Sequence, residues 1–438
     1  ARIRRLFPFQ FTDGQNKAVQ DIAGDLRSGY AMHRLIQADV GAGKTVVAIY
    51  AMLLAFAHGA QAAIMAPTEL LANQHWETLT SILSGSSIQG VLLTGSLTSK
   101  ERKSALEDIA NGKSQFIVGT QALIQKDVQF EKLGLVVIDE QHKFGVVQRA
   151  QFSTEQGPPP HVLVMTATPI PRTLCLTQFG DLDITLVKDL PQGRQPVVTS
   201  RLSSDIEKRK AWDFLKQKLK AGRQLYIVCS LVDSNSKIEA VSAEEIFLKM
   251  KASLPGFELG LVHGRMDRDE RNATMNSFRE KEIDVLVSTT VIEVGVDVPN
   301  ATLMVILDAE RFGLSQLHQL RGRIARGKHR GYCFLVSKSD SPESTARLAA
   351  LEKSSDGFYV AEQDFELRGP GDILGTRQHG SLPLRFADFL RDEETLKRAR
   401  DEAFLLVQSG EFDEPSFQEL KTKVLNRFAQ LMDLPRSG

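Results

Sequence analysis

The sequence has little cysteine. Its three residues of this type, Cys175, Cys229 and Cys333, lie far apart in a chain of 438. This spacing excludes a cysteine-rich metal site and a dense disulfide framework, and it favours small core residues in a reducing compartment. Long apolar runs are also absent, because none approaches the roughly 20 residues that a transmembrane helix needs, and no secretory leader pattern is visible. The sequence therefore predicts a globular protein with no membrane partner.

An excess of charge of either sign is missing as well. The chain carries 54 basic and 54 acidic residues, so any site for a polyanion must come from local clustering of charge. The sequence begins Ala-Arg-Ile-Arg-Arg, without an initiator methionine. This start is compatible with a fragment or a processed product that lacks an N-terminal domain. The length suffices for two or three domains of roughly 100–200 residues each.

The most specific motif is Ala-Asp-Val-Gly-Ala-Gly-Lys-Thr at residues 38–45, which has the spacing of a P-loop. Small residues let backbone N–H groups wrap a phosphate, and the start of the following helix adds partial positive charge. Ala38 replaces the usual first glycine, which is harmless if its φ is negative. Lys44 is expected to reach the β- and γ-phosphates of ATP, and Thr45 to hold Mg²⁺. The predicted cofactor-binding residues of the loop are Gly41, Ala42, Gly43, Lys44 and Thr45.

Apolar strands alternate with helices on both sides of residue 193. Such an alternation predicts an α/β fold with parallel sheets covered on both faces, and sites at the C-terminal ends of the strands. The proline- and glycine-bearing stretch 189–196 suggests a linker between two units of similar size. The predicted domains are 1–193, 194–340 and a mainly helical region at 341–438. In that region we predict helices at 341–355, 386–408 and 415–431.

Two acids, Asp139 and Glu140, follow the apolar strand 135–138. An acid at that position can hold Mg²⁺ through water, and the next acid can orient the attacking water as a base. The competing interpretation is a helix N-cap, for which aspartate is common.

A second cluster spans residues 319–327, Gln-Leu-Arg-Gly-Arg-Ile-Ala-Arg-Gly. Arg323 and Arg326 are three residues apart, so on one helical turn they share a face. Two guanidinium groups on one face suit the charge of a γ-phosphate in its transition state. Since they belong to the second unit, the nucleotide would lie between the units. The alternative is a solvated basic run, because Lys328, His329 and Arg330 follow.

Two further polar clusters follow apolar strands. Hydroxyls at Thr166 and Thr168 can link a nucleotide site to a nucleic-acid groove, although Thr-Pro often merely starts a helix. Hydroxyls at Thr289 and Thr290 can bind a DNA phosphate, and Asp297 can contact the ribose of the nucleotide.

Together these segments resemble superfamily 2 helicases, with the usual motifs in order. The matching segments are Gln15, 38–45, 66–74, 119–123, 139–142, 166–168, 223–229, 288–297 and 319–327. The resemblance implies two tandem RecA-like domains, with Gln15 and Gln319 at the nucleotide. It also assigns a group of threonines to the DNA, namely Thr68, Thr120, Thr166, Thr168, Thr289 and Thr290.

Residues 361–380 resemble the translocation motif of bacterial branched-DNA helicases, a helical hairpin with a following loop, which we place at about 357–400. The resemblance implies an ATP-dependent 3'-5' translocase on double-stranded DNA, acting on replication forks and Holliday junctions in recombination and repair. It also implies a monomer in the bacterial cytoplasm, associated with the nucleoid, with single-stranded-DNA-binding protein as a further partner. Arg368, Gln378 and His379 are expected to couple ATP to movement. The alternative is a polar loop with structural hydrogen bonds.

The chain departs from these relatives in three places. Ala38 and Ala325 each replace a glycine with another small residue. We also expect that the N-terminal wedge domain that splits branched DNA is missing, which would give weak stimulation of ATP hydrolysis by DNA and poor fork unwinding. Two other functions stay open. One is the motor of a transcription-repair coupling factor, which has glutamate where this chain has Gln141. The other is an ATPase fragment or non-enzymatic module that binds DNA without productive unwinding.

Overall fold

The computed structural model of the chain describes residues 3–140, 152, 158–169, 182–191, 195–230, 236–289, 298–324, 329–339, 341–368 and 392–432. Within these ranges the chain forms two parallel β-sheets flanked by helices, and then a helical C-terminal region. The predicted α/β class, with two tandem RecA-like units, is confirmed. The predicted boundaries at 193 and 340 fall outside the described residues and stay predictions.

Seven strands form the first sheet: β1 (His33–Ala38), β2 (Gln61–Met65), β3 (Gly90–Leu93), β4 (Phe116–Gly119), β5 (Leu133–Asp139), β6 (His161–Thr166) and β7 (Asp183–Val187). Their spatial order is β3-β4-β2-β5-β6-β1-β7, and all neighbours are parallel. Parallel strands end at the same edge of a sheet. The C-terminal ends of β1, β5 and β6 therefore lie together at one edge.

The strands of this sheet are apolar because both of its faces are covered. β2 and β4 are buried along their whole length. Successive side chains of a strand point to opposite faces. Accordingly, Ile36 and Ile64 pack into the core on one face, whereas Leu35 and Ile138 pack into the core on the other.

Helices of the first unit are α1 (Asp13–Asp25), α2 (Lys44–Ala57), α3 (Glu69–Leu83) and α4 (Ser99–Ala110). Thr12 caps α1 in a reciprocal box with Gln15. Thr98 does the same for α4 with Glu101. These boxes satisfy backbone donors that would otherwise lack partners at the first turn.

The second sheet contains β8 (Val198–Leu202), β9 (Gln224–Val228), β10 (Leu259–Val262), β11 (Val285–Ser288), β12 (Ala301–Ile306) and β13 (Tyr332–Val336). Its spatial order is β10-β11-β9-β12-β13-β8, again parallel throughout. The helices that accompany it are α5 (Asp205–Lys220), α6 (Ser236–Ser253), α7 (Arg268–Arg279) and α8 (Leu314–Arg321).

The C-terminal region adds α9 (Pro342–Lys353), α10 (Gly357–Arg368), α11 (Glu393–Gln408) and α12 (Gln418–Met432). Leu351 and Val360 bring α9 and α10 into the core of the second unit. Of the predicted hairpin, α10 is described, whereas residues 369–391 lie outside the described ranges. The predicted helix at 415–431 is wrong at its start, because Pro415–Phe417 form a 3-10 turn before α12 begins.

Two strands, β7 and β8, were not predicted from the sequence, and both lie at an edge of their sheet. Cys333 lies in β13 and Cys229 directly after β9, and both are buried, as expected of small core residues. Burial raises the pKa of both thiols to about 12, so neither is a reactive thiolate near neutral pH. Cys175 is outside the described residues. Among the helices of the described ranges, none has the length and apolar character to cross a membrane.

Candidate active site

The P-loop connects the end of β1 to the start of α2. Gly41 and Gly43 adopt φ values of +76° and +81°, which L-side chains rarely reach. A Cβ added at Gly43 would also lie 2.4 Å from the Gln15 amide nitrogen. Ala38, by contrast, is the last residue of β1, is fully buried and is outside the positive-φ region. The small residue expected at position 38 therefore fits without strain.

Gln15, on α1, hydrogen-bonds to this loop through its side chain. Its side chain is buried on α1, and its amide nitrogen donates to the Ala42 carbonyl at 2.8 Å. Its amide oxygen accepts from the Thr12 backbone N–H at 3.1 Å. The cap of α1 and the shape of the phosphate loop are thus fixed by one side chain.

Lys44 lies between the two acids that follow β5. Its Nζ is 2.8 Å from Asp139 Oδ1 and also hydrogen-bonds Glu140 Oε1. The ion pairs join residues 95 and 96 positions apart in the sequence, and they meet because β1 and β5 end at the same sheet edge. The sequence predicted this grouping of Lys44 and Asp139–Glu140 at the strand ends.

Electrostatics in this cluster keep Lys44 and Asp139 charged. Burial alone lowers the pKa of Lys44, but the charges of Asp139 and Glu140 outweigh it and raise the pKa above its usual value. Burial alone raises the pKa of Asp139, but Lys44 and the hydrogen bond from His75 outweigh it, and that pKa lies well below its usual range. The Lys44 ammonium group is therefore the cation that balances the charge of Asp139.

His75 is a residue of the site that the sequence reasoning missed. It is buried on α3, and its Nε2 is 2.9 Å from Asp139 Oδ2. Asp139 is thereby held from two sides, by His75 and by Lys44. The only signal was a histidine on the inner face of a helix, which far more often marks an ordinary core residue.

Glu140 has a left-handed backbone, with φ of +56°. For a residue other than glycine this conformation is sparsely populated. Its N–H donates to the Met165 carbonyl at 2.9 Å, and its carboxylate accepts from the Ala167 N–H at 3.4 Å. The strained turn thus points the carboxylate across the end of β6, toward the loop that follows it.

That loop contacts the second unit. Thr168 N–H donates to the Thr166 hydroxyl at 3.0 Å, and the Thr168 hydroxyl accepts a hydrogen bond from the side-chain amide of Gln319. Thr166 is buried. Three predicted site residues from two units therefore form one hydrogen-bonded chain.

Motif residues that follow Gln319 pack against the P-loop. Helix α8 ends at Arg321, and Gly322–Ile324 form a 3-10 turn. A Cβ at Gly322 would lie 2.2 Å from Val40 Cγ1. Arg323 is partly buried in this turn. Arg326 is outside the described residues, so the shared face predicted for the two arginines stays a prediction.

The remaining predicted residues are spread along the sheet edges. Thr68 caps α3, and Thr120 precedes the 3-10 turn that follows β4. Thr289 follows β11 and is buried. Thr45 lies in the first turn of α2. The backbone of Arg368 ends α10, and its side chain belongs to the part that the structure does not describe, as do Thr290, Asp297, Gln378 and His379. Within the described ranges no group of three metal-ligating side chains occurs.

Comparison with known protein families covers most of the chain. Residues 12–176 match the DEAD/DEAH box helicase family, and residues 208–328 match the helicase conserved C-terminal domain. Residues 354–432 match "ATP-dependent DNA helicase RecG, domain 3, C-terminal". The last match begins just before α10 and ends with α12.

Individual relatives agree with this. A Synechocystis protein named ATP-dependent DNA helicase RecG is 46% identical over 98% of this chain and 51% of its own length. The Bacillus subtilis protein of the same name is 43% identical over 97% of this chain and 62% of its own length. A solved structure described as RecG bound to a three-way DNA junction has a TM-score of 0.76 and 41% identity, and covers 90% of this chain and 51% of that one.

The chain thus spans about half to three fifths of the length of these relatives. The matches run in the same order as the predicted motifs, and they include the C-terminal segment beyond the two RecA-like units. On this agreement, the chain belongs to the RecG family of superfamily 2 helicases.

Proposed function

We propose that this chain is the ATP-driven motor of a translocase that moves on branched double-stranded DNA. The observation that carries the proposal is the position of Lys44 between Asp139 and Glu140, at a sheet edge where Gln319 and Gly322 of the second unit also pack. A phosphate-binding lysine, an acidic pair and a second α/β unit in contact are the parts that ATP-driven domain closure requires.

ATP binding would exchange the partners of Lys44. Its ammonium group would leave the carboxylates and reach the β- and γ-phosphates, while the N–H groups of residues 41–45 wrap the phosphates. Asp139 would then hold Mg²⁺ through water, together with the Thr45 hydroxyl. The donor set fits, because hydroxyl and carboxylate oxygens suit Mg²⁺, and the low pKa of Asp139 keeps that carboxylate ionised.

Hydrolysis would depend on residues from both units. Glu140, whose carboxylate lies across the end of β6, would orient the attacking water as a base. Arg323 and Arg326 would stabilise the charge that develops on the γ-phosphate. Gln15 and Gln319 would contact the nucleotide, and Asp297 its ribose.

DNA would lie along the threonine-bearing strand ends, where Thr68, Thr120 and Thr166 of the first unit would contact phosphates. Thr168, Thr289 and Thr290 would complete this surface. Arg368, Gln378 and His379 would couple the state of the nucleotide to movement. The match of residues 354–432 to RecG domain 3, and the three-way junction bound by a relative, support branched DNA as the substrate. We also propose that the protein is a monomer in the bacterial cytoplasm, with single-stranded-DNA-binding protein as a partner at the fork.

The test is the rate of ATP hydrolysis without DNA, with linear duplex and with a model fork. We expect Mg²⁺-dependent hydrolysis with weak stimulation by DNA, and no hydrolysis after Lys44→Ala. Lys113→Ala is the matched control, because Lys113 is an exposed lysine paired with Asp108 at 2.9 Å, away from the site. DNA-stimulated hydrolysis by Lys44→Ala would show that the site is assigned wrongly.

Two other functions would give different results. A coupling-factor motor would bind RNA polymerase in a pull-down, which we do not expect of this chain. A non-enzymatic DNA-binding module would bind the fork but hydrolyse no ATP in any of the three conditions.

A further inference from the structure

Asp39 is a buried carboxylate within the P-loop that the mechanism above does not use. It is 7% exposed and accepts three hydrogen bonds. One comes from the adjacent Val40 N–H at 2.6 Å. The other two come from outside the first unit: His318 Nε2 lies 2.5 Å from Oδ1, and the Gly357 N–H donates to Oδ2 at 3.1 Å. The phosphate loop is thus tied directly to α8 and to the first residue of α10.

The contact with Arg321 shows which ring nitrogen of His318 accepts a hydrogen bond and which donates one. Arg321 Nη2 is 2.8 Å from His318 Nδ1, and a guanidinium can only donate. Nδ1 must therefore accept, so Nε2 bears the proton and donates to Asp39. His318 therefore accepts from Arg321 at one ring nitrogen and donates to Asp39 from the other.

Arg321 extends the chain of bonds to the end of α9. Its Nη1 donates to the Leu351 carbonyl at 2.8 Å and to the Ser354 carbonyl at 2.7 Å. Ser354 lies three residues before Gly357. We name Asp39, His318, Arg321 and Gly357 the Asp39 clasp. It joins the P-loop, α8 and the α9–α10 turn through groups that are all buried or within the backbone.

Glycine is required at the point where the clasp is tightest. A Cβ at Gly357 would lie 2.4 Å from His318 Nε2, 2.6 Å from Pro169 Cγ and 2.8 Å from Asp39 Oδ1. The Asp39 carboxylate and the His318 ring therefore leave no room for any side chain at position 357.

Asp39 depends on its hydrogen-bond donors because its carboxylate is both charged and buried. Burial alone raises its pKa, but the interactions with His318 and the hydrogen bonds from the Gly357 and Val40 N–H groups outweigh burial and hold the pKa below its usual value. The carboxylate is thus ionised and relies on its donors. Asp39 also lies five residues before Lys44, within the loop that would rearrange around a phosphate. If this loop shifts, the Asp39 carboxylate moves with it. That carboxylate accepts hydrogen bonds from both His318 and Gly357, so both contacts change.

The geometry points to a coupling device that deepens, and rests on, the proposed function. The Asp39 clasp reports nucleotide occupancy of the P-loop to α10, the first helix of the region that matches RecG domain 3. Asp39 and His318 act as positioning residues and not as catalytic ones, because neither is placed on the phosphates. The clasp orients α10 relative to the nucleotide site, and so sets how DNA bound by the C-terminal region affects hydrolysis.

The experiment is hydrogen–deuterium exchange of residues 354–368, with and without Mg²⁺ and a non-hydrolysable ATP analogue, in the chain and its variants. We expect nucleotide to change exchange in this segment, at the Gly357 amide above all. His318→Ala should bind the analogue with a Kd within about twofold of the parent but lose this change. A merely structural role would raise exchange equally in both nucleotide states.

Kinetics provide the second readout. In His318→Ala, kcat with a model fork should fall about tenfold, as for a contact worth on the order of 1.4 kcal/mol, while KM for ATP stays within about twofold. His318→Gln keeps a donor for Asp39 and should recover at least half of kcat and of the exchange change. Gly357→Ala should reproduce His318→Ala. Gly24→Ala is its matched control, since a Cβ at Gly24 meets nothing within 4 Å.

The outcomes separate the two proposals. If neither the parent nor any variant hydrolyses ATP, the proposed function fails. The clasp still stands in that case if nucleotide changes the exchange of residues 354–368 in the parent and not in His318→Ala. The clasp is refuted if the parent shows no such change, or if His318→Ala retains it. Should His318→Ala fail to fold, His318→Gln decides with the opposite expectation: it should keep at least half of kcat and of the exchange change, and loss of both despite its donor would contradict the clasp.

Discussion

Asp139→Asn should make the protein bind ATP more tightly when Mg²⁺ is absent. Lys44 forms ion pairs with Asp139 at 2.8 Å and with Glu140. The phosphates of ATP must therefore compete with both carboxylates for the ammonium group. The asparagine has nearly the same shape and can keep an oxygen toward His75, but it no longer attracts Lys44. It also removes a negative charge that would repel the phosphates.

The size of the effect follows from the contact that is lost. A hydrogen bond to a charged group contributes about 1.5–3 kcal/mol. Glu140 still competes for Lys44 in the variant, so we take the lower end. About 1.4 kcal/mol corresponds to a tenfold change in Kd. We therefore expect Asp139→Asn to bind ATP about tenfold more tightly in EDTA.

When Mg²⁺ is added, the parent should bind ATP more tightly than Asp139→Asn. The parent gains affinity because Asp139 is then free to hold the ion, whereas the variant lacks that ligand and gains little. Hydrolysis by Asp139→Asn should be abolished for the same reason. The comparison thus separates the two roles of one carboxylate, as counter-ion of Lys44 and as metal ligand.

The assay is titration with a fluorescent ATP analogue, in EDTA and in Mg²⁺. Asp127→Asn is the control, because Asp127 pairs with Arg102 at 2.8 Å at a half-exposed site outside the cluster. Equal or weaker binding by Asp139→Asn in EDTA would refute the reasoning, since it would mean that the Lys44 ion pairs do not compete with phosphate.

Three further predictions follow from the same structure. Gln15→Ala removes the 2.8 Å hydrogen bond to the Ala42 carbonyl and should raise KM for ATP several-fold, with a loss of about 1–2 kcal/mol in the free energy of unfolding, measured by urea titration. The pKa of Asp139 is lowered in the folded state, so its contribution to stability is complete above its ordinary pKa of 3.8 and is lost as pH falls below that value; unfolding followed from pH 6 to about pH 3 should show a shallower loss in Asp139→Asn than in the parent. Burial raises the pKa of Cys229 and Cys333 to about 12, so at most one of the three thiols should react with a thiol reagent near pH 8 in the native protein, and all three after denaturation.

The central part of each sheet was predictable because it is buried on both faces. Strands such as β2 and β5 contain the continuous apolar runs 62–65 and 135–138, and a run of that kind has few alternatives to a covered parallel strand. The acids and hydroxyls that end these strands could be grouped at one edge for the same reason. The sequence therefore predicted Lys44, Asp139 and Glu140 at neighbouring strand ends, where their side chains are in contact.

Two of the edge strands, β7 and β8, were not predictable by that rule. β7 has the sequence Asp-Ile-Thr-Leu-Val and β8 the sequence Val-Thr-Ser-Arg-Leu, and both are only partly buried. Each is bonded on one side and so tolerates polar residues that break an apolar run. A short half-polar segment of this kind resembles a loop as much as a strand.

The contacts of His75, Asp39 and His318 depend on tertiary packing. His75 meets Asp139 across 64 residues, and His318 meets Asp39 across 279. No local spacing or periodicity marks such a pair. The motifs placed Asp39 inside the P-loop segment, and His318 directly precedes the arginine segment 319–327, but nothing in them showed that the two side chains touch.

The location of Asp39 also bears on how often the two units can separate and rejoin. Of its three donors, only Val40 is in the first unit, and the other two leave together if the cleft opens. Water can then solvate the carboxylate, and a hydrogen bond exchanged for one with water changes the free energy by only about 1 kcal/mol. The contact is therefore well defined when closed and costs little free energy to break, as the proposed ATP-driven domain motion would require.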